Sequence, residues 1–408
     1  MSASGCPDPS LPLGRLLRPA RADGGLGPWL AARAPGRRLA LCANARAGIR
    51  QACDRLGLGP GDEILAPAWN CGSEIDPLLH AGLSVRLFPV DGTGRVDPEA
   101  VAARIGPATR AVYLIHYFGW PQPETAAIAA LCRDRGLALI EDCALALLSE
   151  TPEGPVGRHG DAAVFCLYKF FPLVMGGALA LREDLPPPRF DRPFPRKAEL
   201  RALARDLSRR VLGQGGAGTL KRRLRALAGR PAPAPAPAAA PDGPPGGPPD
   251  MPAHYYFDPA WRDAGPSAVT RRLLARLDPA GEAEARRRNH ALLMEALAGV
   301  PGVAFPLGPA GPGVAPLAGF VLLPAEVRDA VCAGLQARRI GATPWWSGCH
   351  RGLDWSDPAA TEALELKARG LSLPIHPGLS AAQIRWMAGE LAALLAAAAP
   401  AREPVPAA

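Results

Sequence analysis

Between residues 38 and 181 the chain alternates short apolar runs with stretches where apolar residues recur every three or four positions. Ile64-Leu65-Ala66, stopped by Pro67, is the first apolar run. Val85 to Val90, Val112 to Ile115, Leu137 to Ile140, Ala163 to Leu167 and Ala178 to Leu181 follow it. Between them, Asn44 to Leu56 sets Ile49, Ala52, Cys53 and Leu56 at helical spacing before Gly57, and a second helix is predicted from about Glu124 to Arg133. Apolar strands separated by helices predict a parallel sheet covered on both faces. Ligands in such sheets bind beyond the carboxyl ends of the strands.

The pattern changes after residue 188. Lys197 to Val211 places Leu200, Leu203, Leu207 and Val211 on one helical face, with Arg201, Arg205, Arg209 and Arg210 mostly elsewhere, and a second basic stretch runs from Leu220 to Arg230. This basic helical insertion (188–230) reads either as a surface helix packed on the body or as a contact for an anionic membrane surface or an acidic partner protein. Pro231 to Pro252 is a Pro/Ala/Gly tract with almost nothing to bury, which predicts a disordered or polyproline-like linker. Helices are predicted again over Ser267–Leu277 and Glu282–Leu297, with strands at Val303–Phe305, Gly319–Leu323 and Leu371–Leu373. Ser380 to Gln383 forms a capping box for a last helix whose buried stripe is Ile384, Met387, Leu391 and Leu395. The division expected is a large domain over 1–275, including insertion and linker, and a smaller α+β domain over 276–408.

Composition narrows this picture. The 408 residues are 48% hydrophobic, enough for a large core, while the 48 prolines and 45 glycines cluster rather than spread. Nine scattered cysteines without a C-x-x-C pair suggest neither a disulfide framework nor a zinc site, so no metal is expected and a reducing cytoplasm fits. No signal-peptide pattern opens the chain, and Leu391–Ala399 is too short to span a bilayer. The net charge of +8 permits nucleic-acid or membrane contact without requiring it; no nucleic-acid partner is expected.

Two residues carry the chemistry. Asp142 ends the run Leu137 to Ile140 after Glu141, and Lys169 follows the next strand. A carboxylate for a pyridinium nitrogen and an amine for a Schiff base are what a pyridoxal phosphate site needs. Each has a plainer reading: Asp142 as a helix N-cap, Lys169 as a surface lysine with its stem covered by Tyr168 and Phe170. In the functional reading the aromatic neighbours desolvate Lys169 and lower its pKa. Gly176-Gly177 would let backbone approach a ligand closely. Asn44-Ala45-Arg46 opens a helix whose N-terminus would suit a phosphate, or is an ordinary Asn cap. His116 reads equally as a structural histidine at a strand end or as a ring contact.

Taken in order, these segments resemble the DegT/DnrJ/StrS-type pyridoxal phosphate-dependent sugar aminotransferases. The segments are Leu58-Gly59-Pro60-Gly61-Asp62-Glu63, Pro67-Ala68-Trp69-Asn70-Cys71, His116-Tyr117-Phe118-Gly119, Glu141-Asp142-Cys143-Ala144, Gly160 to Lys169, Arg286-Arg287-Arg288-Asn289 and Leu373-Pro374-Ile375-His376-Pro377. The resemblance implies an α/β fold of the aspartate aminotransferase type (fold type I). A mainly parallel large-domain sheet would lie sandwiched by helices, with a smaller α+β C-terminal domain. It implies Lys169 as the Schiff-base lysine, Asp142 as the pyridinium partner, and pyridoxal 5′-phosphate held by Ala45, Arg46, Cys71, His116, Asp142, Cys166 and Lys169. Ala45 and Arg46 fall where a Gly-Thr pair binds the phosphate, and Cys166 replaces a phosphate-contacting serine. It further implies a homodimer, a nucleotide-linked keto-sugar as substrate and an amino-acid donor.

The chain also departs from the family's pattern. Leu145 stands where Gln or His lies near the cofactor's 3-hydroxyl, and the stretch from Cys166 to Lys169 is two residues shorter than usual. The Asn-x-Arg motif that reaches the partner's phosphate is not evident around Tyr256–Arg262. The expected function is amino transfer, with other pyridoxal chemistry on a sugar (elimination or dehydration) or a catalytically inactive scaffold as competing readings.

Overall fold

The computed structural model describes residues 19–173, 175–201, 203–204 and 248–398. Most of the basic stretch and the Pro/Ala/Gly tract as far as residue 247 lie outside the described residues. The last residues of that tract are not a linker. Met251 is buried, and Asp250 bridges to Cys349, whose N–H donates to the Pro249 carbonyl at 2.8 Å. A buried methionine and a paired backbone hold these residues in place.

The large sheet has seven strands: β1 (Arg37–Cys42), β2 (Glu63–Pro67), β3 (Ser84–Phe88), β4 (Thr109–Ile115), β5 (Ala138–Asp142), β8 (Ala162–Cys166) and β9 (Gly177–Arg182). A two-stranded ribbon, β6 (Glu150–Thr151) with β7 (Gly154–Pro155), interrupts them. The order is β1-β9-β8-β5-β4-β2-β3. Pairings from β3 to β8 are parallel, whereas β9 runs antiparallel to both β8 and β1. All five residues of β2 and of β8 are buried, as strands covered on both faces require. β1 escaped the sequence reading because an edge strand is half exposed and opens on Arg37-Arg38, which hides the apolar run.

The helix Ala45–Arg55 matches its prediction, with the Asn44 side chain accepting the Ala47 N–H at 2.9 Å. A second, three-stranded antiparallel sheet is formed by β10 (Gly319–Leu322), β11 (Thr343–Pro344) and β12 (Gly370–Leu373), with β12 in the centre. The strand expected at 303–305 is only a bridge from Ala304 to Leu322, because Pro301 and Pro306 leave four residues between them, the first a glycine. Helices Pro279–Leu297, Ala325–Ala337 and Ala381–Ala398 enclose this sheet's own core of Leu293, Val321, Leu335, Leu371 and Met387, among others. The capping box is formed: Ser380 N–H donates to Gln383 Oε1 at 3.0 Å, and Gln383 N–H to Ser380 Oγ at 3.3 Å.

Two of the quoted segments explain how the parts lock. Arg286 is buried and donates to Glu282, to the Leu317 carbonyl at 2.6 Å and to the Phe170 carbonyl at 3.2 Å, so it fastens the turn that carries Lys169. Asn289 donates to the carbonyls of Ile375 and His376, tying the same helix to the Leu373–Pro377 turn. The Phe118 carbonyl accepts the Leu317 N–H at 2.7 Å.

Candidate active site

One cavity of about 260 Å³ opens at the carboxyl ends of β5 and β8. Six of the seven candidate residues line it: Ala45, Arg46, Cys71, Asp142, Cys166 and Lys169. His116 does not. Its ring lies under another surface, with Nε2 3.0 Å from Glu141 Oε2 and Nδ1 accepting the Gln122 N–H, so it serves as a buried structural histidine. Glu141 also accepts the N–H groups of Gly157, His159 and Gly160. Burial opposes its charge, but the His116 ring and these donors outweigh it and hold the carboxyl below its ordinary range. Cys143 lies beside this pair, yet the ring nitrogens and the carboxylate are already engaged.

Asp142 is 5% exposed. Its Oδ1 accepts the Ala144 N–H at 2.8 Å, as the capping reading requires, and its Oδ2 accepts the Tyr113 hydroxyl at 2.7 Å. Burial, and next the negative charge of Glu74, push its pKa up, while Lys169 and Tyr113 work against this. Lys169 departs from the sequence expectation. Burial lowers the proton affinity of its amine, but Cys166, Cys71, Tyr168 and Asp142 overcome that, so the amine is held above its usual range. The sequence shows the aromatic neighbours of Lys169; it does not show the acidic groups that the fold gathers around it.

Gly177 also has a different role from the expected one. A Cβ there would stand 2.6 Å from the Asn44 carbonyl carbon and 2.8 Å from the Ala45 nitrogen. The close approach is to the start of the helix Ala45–Arg55, and it brings that N-terminus beside the end of β8. Arg46 crosses to the 253–256 turn, where its Nη1 donates to the carbonyls of His254, Tyr255 and Tyr256. Leu145 is buried in the core and does not line the cavity.

The remaining wall was not read from the sequence. Glu74 and Ser73 follow β2, Tyr255 comes from the 253–256 turn, and Trp345-Trp346 reach over from the small sheet. Trp346 sits at φ +57°, a conformation unfavourable for a bulky residue and one that recurs at functional sites. Buried Lys367 holds this turn, its Nζ donating to the carbonyls of Asn70 (2.6 Å), Trp346 (2.9 Å) and Gly348 (2.9 Å). Only the i, i+3 spacing of Cys71 and Glu74 offered a sequence signal; the tryptophans arrive from almost three hundred residues away.

Residues 36–185, which contain both Asp142 and Lys169, match the DegT/DnrJ/EryC1/StrS aminotransferase family. The chain is 33% identical over 138 residues to a pleiotropic regulatory protein of Geobacillus stearothermophilus, covering 34% of this chain and 36% of that protein. It is 38% identical over 122 residues to a dTDP-4-dehydro-2,3,6-trideoxy-D-glucose 4-aminotransferase of Saccharopolyspora spinosa, covering 30% of this chain and 31% of that one. The matched stretch thus spans about a third of these relatives' length. The crystal structure of an aminotransferase, TlmJ, from Streptoalloteichus hindustanus superposes with a TM-score of 0.59 at 24% identity over 88% of this chain and 86% of that chain. The chain shares the fold of that structure, with a mainly parallel central sheet. No helix among the described residues is long and apolar enough to cross a membrane.

Proposed function

We propose that this chain is a pyridoxal phosphate-dependent aminotransferase that acts on a nucleotide-linked keto-sugar with an amino-acid donor. The observation that carries this reading is the convergence of the Lys169 amine and the buried Asp142 carboxylate on one cavity beside a helix N-terminus. The cavity, at about 260 Å³, is near the lower end of small-molecule sites, about 300 Å³. The donor set suits the cofactor: an acid for its ring nitrogen, an amine for its aldehyde, and Arg46 with the N–H groups of residues 45 and 46 for its phosphate. When bound, pyridoxal phosphate supplies an electron sink for a carbanion at the amine-bearing carbon.

The chain's own residues would do the rest. Asp142, kept in place by Tyr113 and the Ala144 N–H, holds a proton on the ring nitrogen through a charge-assisted hydrogen bond. Lys169 carries the cofactor between turnovers and moves the proton at the reacting carbon as general acid and base. Its turn is fixed by Arg286 at the Phe170 carbonyl. Trp345 and Trp346 close the outer wall and limit water. The Saccharopolyspora relative's named sugar substrate supports the substrate class. Leu145, buried away from the cavity, lends no support to elimination chemistry. The same reading includes a homodimer in the cytoplasm and the division into domains 1–275 and 276–408; eight described cysteines, all free and buried, fit a reducing compartment.

An absorption spectrum with added pyridoxal 5′-phosphate tests the reading. The wild type is expected to gain a visible band that Lys169→Ala lacks, and glutamate followed by nucleotide keto-sugars should bleach and restore it. No band in the wild type would sink the proposal.

A further inference from the structure

The turn after β2 carries a second buried acid. Glu74 is 5% exposed and lines the cavity with Asp142 and Lys169. Its Oε1 accepts the Cys71 N–H at 2.8 Å, and its Oε2 accepts the Cys71 thiol at 2.5 Å and the Ser73 hydroxyl at 3.3 Å. Within this turn Gly72 lies at φ +80°, and a Cβ on it would stand 2.6 Å from Met251 Sδ. The turn is therefore packed from above and bonded from within, and the carboxylate has one place to be.

Among the described residues Glu74's hydrogen-bond partners are an amide, a thiol and a hydroxyl, none of them cationic. A buried carboxylate without a bonded cation is costly and calls for a compensating charge nearby. Lys367, held by three carbonyls, meets Glu74 only through space, and Arg46 donates through Nη1 to the carbonyls of the 253–256 turn. No cation among the described residues is hydrogen-bonded to Glu74, which lines the cavity.

We propose, on the reading that the cavity takes pyridoxal phosphate, that Glu74 is a second acid of the site, a positioning residue that fixes the Cys71 thiol in the wall and adds its charge to that of Asp142. The site then presents two carboxylates to a ring and an amine that are both cationic when protonated. Several groups face these carboxylates, and Glu74 is faced by Lys367 from the helix Thr361–Arg369 and by Tyr113 and Tyr117 from β4 and the turn after it. Asp142 is faced by Glu74 from the turn after β2, Lys169 from the turn after β8 and Tyr113 from β4. Lys169 is faced by Cys166, Cys71, Tyr168 and Asp142, and Tyr255 and Arg46 close the circle from the 253–256 turn and the helix Ala45–Arg55. Glu74 and burial act together on Cys71, whose thiol is pushed up to about 12, so the thiol stays protonated and unreactive.

The test is a pH titration of the visible band of the protein loaded with pyridoxal 5′-phosphate. Glu74→Gln is expected to lower the midpoint by roughly one pH unit, because a negative charge beside a protonated nitrogen is lost. Glu74→Asp keeps the charge and should shift it by less than half as much. On the full chain, Glu74→Gln should also speed alkylation of Cys71, mapped by mass spectrometry, by roughly tenfold. An unchanged midpoint in Glu74→Gln, or an equal shift in Glu74→Asp, overturns the inference. Should Glu74→Gln not fold, Cys71→Ala carries the test: removing the thiol bares the Glu74 charge and should raise the midpoint, and an unchanged or lower value overturns it. A wild type without any band overturns the cofactor reading instead.

Discussion

Glu141 and Asp142 are neighbours on β5, and successive strand residues point to opposite faces. Asp142 therefore faces the cavity while Glu141 turns to His116 and three backbone N–H groups. Glu141 is the structural member of the pair, and a buried, bonded carboxylate of this kind is expensive to interrupt. Glu141→Gln should cost about 3–5 kcal/mol of stability at neutral pH, measured by urea unfolding. The pH dependence has a definite sign. Glu141's folded pKa is depressed below its ordinary 4.5, so its contribution is complete above that value and is lost as pH falls through the folded pKa. The gap between wild type and Glu141→Gln should thus narrow in acid; a gap that widens below pH 4.5 would refute the assignment. Nothing in the sequence separated the two acids by role beyond their alternation. His116 was ambiguous for the same reason, since its partner lies on the adjacent strand.

At the level of elements, the site depends on how closely two backbones meet. Gly177 on β9 leaves room for Asn44 and Ala45, and so places the helix Ala45–Arg55 against the end of β8. Gly177→Ala should push these apart, destabilising the protein by about 1–3 kcal/mol and weakening pyridoxal phosphate binding, followed by thermal melting and cofactor titration. Unaltered affinity with lowered stability would show that the helix N-terminus does not serve the cofactor. The helix itself was legible, cap included, because an Asn cap and a 3.6-residue apolar repeat are local properties. Strand β1 was not, since its pairing with β9 is a contact across 140 residues of chain.

Across the whole molecule, the cavity is shared between the large sheet and the loops of the small one. Lys367, on the helix Thr361–Arg369, joins the Asn70 carbonyl beside Cys71 to those of Trp346 and Gly348. Burial lowers its pKa, yet three carbonyls are a good cage for an ammonium. Lys367→Met should leave those carbonyls without a donor, costing about 3–5 kcal/mol by denaturant unfolding and altering tryptophan emission as the Trp345-Trp346 wall loosens. Emission identical to wild type would mean that the wall stands without the clamp. The chain by itself determined the alternation of strands and helices, the caps, and the order of motifs that carries the resemblance, because each rests on neighbours in sequence. The tertiary structure decided what those motifs surround. It sent His116 to the core and filled the outer wall with tryptophans. It also placed Glu74 beside Asp142 and raised rather than lowered the Lys169 proton affinity. Charges meeting through space leave no trace in local spacing, so only the packed sheet and its loops could assign them.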